Sequence, residues 1–207
     1  YAPENRLILA TGPLNGTAAP GSGTYSVISR SPLTSFAACS QANGHFGARL
    51  KFAGYDGIIL QGASEKWVYL SIQEGNVEIK DATHLLGKDT VETDDFLKQE
   101  LNAPKASVAC IGPAGEKLVR FAAVCSDKGH FAASGGLGAV MGSKKVKAIL
   151  VHGTNKVPVK DSERLKELVK VWVEQAKASP LGGISANLNG KYSLLWGFDR
   201  CLGFGEA

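Results

Sequence analysis

The stretch Ser134-Gly135-Gly136-Leu137-Gly138-Ala139-Val140-Met141-Gly142-Ser143-Lys144-Lys145 decides how this chain is read, and it runs directly into the apolar segment Val146–Val151. Glycine loses more backbone freedom on ordering than any other residue, so a run this dense belongs where the backbone turns tightly or lies against a flat surface. The run predicts a short, bare helix or turn whose N–H groups face a ligand. It matches neither common phosphate fingerprint. Met141 stands where a dinucleotide loop beginning Gly136-x-Gly138 needs its third glycine, and Gly142-Ser143-Lys144 is not the Gly-Lys-Ser/Thr order of a P-loop. An anion nest of successive N–H groups at the helix start and tight packing against a sheet stand as equal readings of the run alone.

Working outward, the run has a twin. Asn43–Gly62 lies over Ser134–Gly153 without a gap: Gly44 meets Gly135, Gly47 meets Gly138, Ala48 meets Ala139, Ile58 meets Ile149 and Gly62 meets Gly153. Phe46 faces Leu137 and Leu50 faces Met141. Each copy follows a strand stopped by Gly-Pro (Gly12-Pro13, Gly112-Pro113) and a second strand (Thr24–Arg30, Leu118–Cys125). The pattern predicts an α+β fold: two β-sheets from a duplicated β-β-α-β unit related by a pseudo-two-fold axis, with the two glycine-rich loops converging on a ligand.

The remaining segments fit around this frame. Asn5–Ala10, Asp56–Gln61 and Ala106–Ile111 read as strands, and Gln41-Ala42-Asn43-Gly44 as a loop. His45–Ala53 carries apolar residues at helical spacing, with Gly54 placed to cap its C-terminus. Alternation in Trp67–Ile72 and Asn76–Lys80 predicts a hairpin across Glu74-Gly75. Thr90–Leu101 reads as a helix whose Asp94-Asp95 pair sits as helix-start charge, and Lys144, Lys145 and Lys147 read as solvated. Past Gly153, Asp161-Ser162 caps an amphipathic helix bearing Leu165, Leu168, Val169, Trp172, Val173 and Ala176, which Ser179-Pro180 stops. That helix opens a further domain, giving a division into residues 1–159 and 160–207.

Composition excludes some partners. A net charge of +4, with no dense Lys/Arg cluster interleaved with aromatics, argues against nucleic acid. No run of about 18 apolar residues argues for a membrane. The four cysteines, Cys39, Cys110, Cys125 and Cys201, show no metal-ligand spacing, and Cys110 and Cys125 sit in apolar strands as buried free thiols. That usage points to a reducing, cytoplasmic setting. The chain opens at Tyr1, already close to a strand, and reads as a fragment. His45 and His130 each flank a glycine-rich loop, as hydrogen-bonding residues first and as acids or ligands second.

Four motifs carry a resemblance. Ala10-Thr11-Gly12-Pro13-Leu14-Asn15-Gly16-Thr17, Leu50-Lys51-Phe52-Ala53-Gly54-Tyr55-Asp56, Ile111-Gly112-Pro113-Ala114-Gly115-Glu116 and Gly138-Ala139-Val140-Met141-Gly142-Ser143-Lys144 resemble, in order and spacing, the N-terminal domain of the aldehyde:ferredoxin oxidoreductase family. The resemblance implies a tungsten, less often molybdenum, enzyme that oxidises aldehydes to carboxylic acids. Its metal is held by two pyranopterin dithiolenes, with a magnesium ion, beside a [4Fe–4S] cluster. The two sheets would form the base on which the paired pterins rest. It further implies ferredoxin or another electron-transfer subunit as partner, a small aldehyde as substrate, and a homodimer. The cluster cysteines and the catalytic acid and base would lie in domains outside this chain, so the chain alone is expected to be inactive.

Carried over position by position, the implied cofactor-binding residues are Gly23 and Thr24, where the family has Gly-Arg; Gln41, Asn43 and Gly44, where it has Asn-Ser-Gly-Gly; and Ala132, Ala133, Ser134, Gly135 and Gly136, where it has Arg-Ala-Ala-Gly-Arg-Gly-Gly. Three arginines of that pattern are absent. Each charge-assisted hydrogen bond so lost is worth about 1.5–3 kcal/mol, and His45, His130, Arg30 and Arg49 are the donors nearest in sequence. The same absence supports a second reading, in which the chain is a truncated or non-catalytic relative keeping the fold as a structural subunit or binding module.

Overall fold

A computed structural model describes residues 1–178. Strands β1 (Leu7–Thr11), β2 (Tyr25–Arg30), β3 (Ala37–Ala42) and β4 (Gly57–Leu60) form one sheet in the order β3-β2-β1-β4, antiparallel throughout. The second sheet contains β5 (Val68–Gln73), β6 (Asn76–Asp81), β7 (Ser107–Cys110), β8 (Val124–Ser126), β9 (His130–Ala132) and β10 (Val146–His152), in the order β6-β5-β10-β7-β8-β9. Its β9-β8-β7-β10 portion repeats the first sheet strand for strand, again antiparallel, and the β5–β6 hairpin adds to β10 through a parallel pairing. Glu74 and Gly75 both take positive φ at the hairpin tip (47° and 85°), the twist that a two-residue turn demands.

The repeat also extends to the helices. The ungapped match lays α1 (Phe46–Phe52) on α4 (Leu137–Ser143) residue for residue. Both lie between the sheets in a reciprocal way: α1 touches β1, β7 and β10, and α4 touches β1, β2, β8 and β10. The α1 C-terminus closes as expected, with Gly54 at φ 92°, its N–H donating to Lys51 O and that of Tyr55 to Leu50 O.

The repeating unit holds one strand more than the sequence pattern predicts. β3 and β9 complete each copy, so the unit is β-β-β-α-β, and Gln41 and Ala42 end β3 rather than opening a loop. β3 is built from small or polar residues, Ala-Ala-Cys-Ser-Gln-Ala, and β9 is only three residues long, His-Phe-Ala, so neither carries the β-branched run that marks a strand. The expected strand at Leu118–Cys125 shrinks to Val124–Ser126. Pro113–Glu116 is a single helical turn, α3, and Leu118 behind it turns the chain at φ 56°.

Two cores flank the second sheet. Leu7, Leu9, Val27, Phe46, Leu50 and Met141 fill the space between the sheets, while Tyr69, Leu85, Leu97, Val108 and Leu150 pack under α2 (Thr90–Glu100). β10 supplies both, Ile149 and Val151 to one side and Ala148 and Leu150 to the other. A strand buried on two faces has no solvent side for its lysine. Lys147 is 0% exposed, donating to Glu116 Oε1 (2.5 Å) and Lys88 O (2.8 Å), and Glu116 also accepts from Gly87 N. Lys144 is buried as well, donating to Gly62 O and Pro3 O, and burial lowers its pKa; Lys145 reaches Glu65 O. The expectation of solvated lysines is overturned at Lys144 and Lys147 by carbonyl and carboxylate partners brought in from distant segments, while Lys145 stays partly exposed.

Asp94 is corrected in the same way. The α2 start is capped by Asp89, which accepts from Val91 N and Glu92 N while Glu92 answers to Asp89 N. Asp94 lies beyond the first turn, 1% exposed and 2.8 Å from Lys98 Nζ. Burial raises its pKa, against the pull of Lys98. Cys110 and Cys125 are buried free thiols as expected, opposite each other across β7 and β8, and burial pushes both thiols up and away from reactivity. Cys39 is free and exposed.

Helix α5 (Ser162–Ala178) starts with Arg164 N donating to Asp161 Oδ1, as the Asp161-Ser162 signal predicts. Its stripe is half-buried at Leu165, Val169, Val173 and Ala176 and exposed at Leu168 and Trp172. The Ser179-Pro180 stop, Cys201 and the segment after Leu181 lie outside the described residues. Among the described residues no helix is long and apolar enough to cross a membrane.

Candidate functional site

The two glycine-rich loops meet where the ends of β3 and β9 come together. Ser134 N donates to Ser40 Oγ at 3.0 Å, joining the second loop to β3 of the first repeat. Gly44 (φ 96°) lies so close to His130 that a Cβ there would be 2.7 Å from the imidazole Cδ2 and 2.7 Å from Asp127 Oδ2. A Cβ on Gly135 (φ 77°) would stand 2.7 Å from that of Ala38. Bare backbone is therefore required at both positions, and it brings the loops of the two repeats into direct contact.

A hydrogen-bonded chain runs through the first loop. Asn15 Oδ1 accepts from Gly12 N (2.5 Å), Asn15 Nδ2 donates to Thr24 O (3.2 Å), and Thr24 Oγ1 donates to Asn43 Oδ1 (2.6 Å). His45 N then donates to Asp127 Oδ2 (2.7 Å), and Ser107 Oγ to Asp127 Oδ1 (2.5 Å). Below this chain Tyr25 and Phe46 stack with ring centroids 4.8 Å apart, and burial raises the Tyr25 phenol above its ordinary range. Gly47 follows against Asn15, whose Nδ2 would lie 2.5 Å from an added Cβ.

Of the residues implied by the resemblance, Gln41, Asn43, Ala133 and Ser134 are exposed, Thr24 and Gly135 are half-buried, and Gly23, Gly44, Ala132 and Gly136 are buried as supports. The exposed set offers neutral amide and hydroxyl groups on a floor of alanine and glycine, with His45 and His130 at its edge. Such a surface fits a flat, polar heterocycle, which needs close backbone approach and a mixture of donors and acceptors. A cleft of about 260 Å³ adjoins it, lined by His45, Arg49, Lys98, Lys105, Lys128 and Asp127, so its rim favours anions. Arg30 and Arg49 each direct one guanidinium N–H to a backbone carbonyl, Ser35 O and Gly153 O, and Arg49 also lines the cleft.

The glycines of α4 itself serve packing. Added Cβ atoms would fall 1.8 Å from Arg120 O at Gly136, 2.3 Å from Ala123 O at Gly138 and 2.0 Å from Gly115 O at Gly142. Gly138 N is taken by Ala122 O, and Leu137–Gly142 is buried throughout. The helix is thus wedged against the 113–123 segment, while the segment before it, Ala133–Gly135, is the part that reaches the surface. Asp127, Ser107 and Ser40 are contributors that sequence reading passes over. Asp127-Lys128-Gly129 carries a turn signal, but its partner His45 lies 82 residues away.

The motif resemblance meets a direct comparison at this point. The family described as "Aldehyde ferredoxin oxidoreductase, N-terminal domain" matches residues 1–153. The chain belongs to that family. The tungsten-containing aldehyde ferredoxin oxidoreductase of Pyrococcus furiosus is 47% identical over 182 residues, 88% of this chain and 30% of that protein. Its counterpart in Pyrococcus abyssi is 49% identical over 183 residues, with the same coverage of each chain. The aliphatic sulfonate oxidoreductase WOR-like subunit of Pyrococcus furiosus is 40% identical over 185 residues, 83% of this chain and 29% of that one. Among solved structures, the BamBC active-site complex of benzoyl coenzyme A reductase with 1,5-dienoyl-CoA superposes with a TM-score of 0.83 at 42% identity, covering 87% of this chain and 28% of that one. The chain therefore spans less than a third of the length of these relatives.

Proposed function

We propose that this aldehyde ferredoxin oxidoreductase N-terminal domain, residues 1–159, is the seat of a bis-pyranopterin tungsten (or molybdenum) cofactor, with α5 opening the next domain. The seat comprises Gly23, Thr24, Gln41, Asn43 and Gly44 from one repeat and Ala132–Gly136 from the other. The observation that carries this reading is the convergence of the two loops, through Ser134 N on Ser40 Oγ and Gly44 against His130, beside a floor of alanine and glycine. Two related loops suit a cofactor made of two like halves.

Within that site this chain's residues bind and orient; the redox chemistry belongs to the bound group. Asn43, held by Thr24, and Gln41 present amides to a heterocycle edge. Ala133 and Ser134 are exposed, and the Ser134 hydroxyl is the donor offered there to an anionic substituent, its N–H being held by Ser40 Oγ. In the full protein the reaction would be oxidation of an aldehyde to a carboxylic acid. Electrons would leave through a [4Fe–4S] cluster, held outside this chain, to ferredoxin.

Full-length protein purified anaerobically from cells given tungstate or molybdate is expected to carry near-stoichiometric tungsten or molybdenum together with pterin. Protein free of both would overturn the reading in favour of a non-catalytic relative, which the absence of the pattern's three arginines favours.

A further inference from the structure

We propose that Asp127 is the positioning residue that holds the first glycine-rich loop in register with the second. The inference rests on the cofactor-seat reading above. Asp127 opens the β8–β9 turn at φ 48°, followed by Lys128 at φ 65°, a left-handed pair in which a short carboxylate side chain is tolerated. Its own N–H is fixed on Val108 O. Its two carboxylate oxygens divide their work: Oδ1 takes Ser107 Oγ from the second repeat, and Oδ2 takes His45 N from the first.

The His45 N–H stands at the N-cap of α1, and the Asp127 carboxylate, arriving from the other repeat, accepts from it. Gly44 lies directly against the same oxygen, with no room for a Cβ. From this point the chain runs back to Asn43, which Thr24 holds, and Asp127 itself leads through His130 to Ser134. Hydrogen bonds to an ionised acceptor are about twice as strong as neutral ones. One carboxylate therefore sets the offset between the exposed groups that the two repeats present. The neighbouring Lys128 is engaged by Asp95 and does not compete for it.

Asp127→Ala removes both acceptors. In the full-length protein it is expected to lower tungsten (or molybdenum) and pterin per folded chain about tenfold after gel filtration, the scale seen when a group supporting a metal site is lost. Glu116→Gln is the control, since it weakens a buried pair that contacts none of the seat residues. It should cost melting temperature while keeping wild-type loading. Asp127→Asn keeps an acceptor for His45 N and is expected to load between the two. Equal losses of cofactor in Asp127→Ala and Glu116→Gln, or wild-type loading in Asp127→Ala, would overturn the inference. Should Asp127→Ala not fold, wild-type loading in Asp127→Asn overturns it equally. Absence of cofactor from the wild-type protein would instead reject the seat itself, so the two failures are distinguishable.

Discussion

Glu116→Gln is expected to destabilise this domain by about 3–5 kcal/mol, the cost of leaving one member of a buried ion pair without its counter-charge. Lys147 is inaccessible to solvent in the middle of β10, and its ammonium has two partners, the Glu116 carboxylate and the Lys88 carbonyl. Glu116 in turn accepts from Gly87 N with both oxygens. The substitution leaves the lysine charged in a packed strand, tied only to neutral acceptors. Replacing both ends by apolar residues of similar volume, as in Lys147→Met with Glu116→Leu, should restore most of the loss, because the desolvated charge then disappears. Urea unfolding followed by circular dichroism measures both effects. A loss below about 1 kcal/mol for Glu116→Gln would mean that the pair behaves as a solvated one.

Gly136→Ala is expected to cost about 2–5 kcal/mol, combining overpacking with backbone strain. The residue sits at φ 69°, and the nearest atom to an added Cβ is a backbone oxygen, Arg120 O, at 1.8 Å. Backbone cannot rotate aside as a side-chain tip can. Gly54→Ala is the informative comparison: φ is also positive there (92°), but nothing lies within 4 Å of its Cβ, so only the conformational part remains. The difference between the two variants, read from their denaturation midpoints, isolates the packing of α4 against the 113–123 segment. Equal losses would show that α4 is not wedged there.

Much of this architecture is legible in the residues because it is written twice. The glycines at matching positions, with Phe46 over Leu137 and Leu50 over Met141, locate α1 and α4, and the structure gives the two helices corresponding bounds. The third strand of each repeat is not legible. Ala37–Ala42 is held in its sheet by pairing along β2 from Tyr25 to Arg30, a tertiary fact that its small side chains do not announce. Lys147 within Val146–His152, and Lys144 just before it, signal solvent to a reader of composition. Their burial follows from a strand covered on both faces and from partners far along the chain, Glu116 for Lys147 and Gly62 for the preceding Lys144.

The candidate site divides in the same manner. Asn43, Gly44 and Ser134 could be named from motifs, and the structure brings their loops together. Asp127 could not, because a carboxylate in a turn is ordinary until its contact with His45 is seen. The glycine run itself proves to have two halves with separate tasks. Gly136, Gly138 and Gly142 admit neighbouring backbone into the interior, while Ala133, Ser134 and Gly135 carry the run to the surface beside β3.

In the function proposed above, the joined loops of the two repeats form the cofactor seat. Anomalous diffraction from crystals of the full-length protein, collected at the tungsten or molybdenum absorption edge, tests it most directly. The expected result is a single strong anomalous peak per chain over the face that bears Gln41, Asn43, Ala133 and Ser134. A strong peak elsewhere in a fully loaded protein, with these residues turned away from any cofactor, would contradict the account.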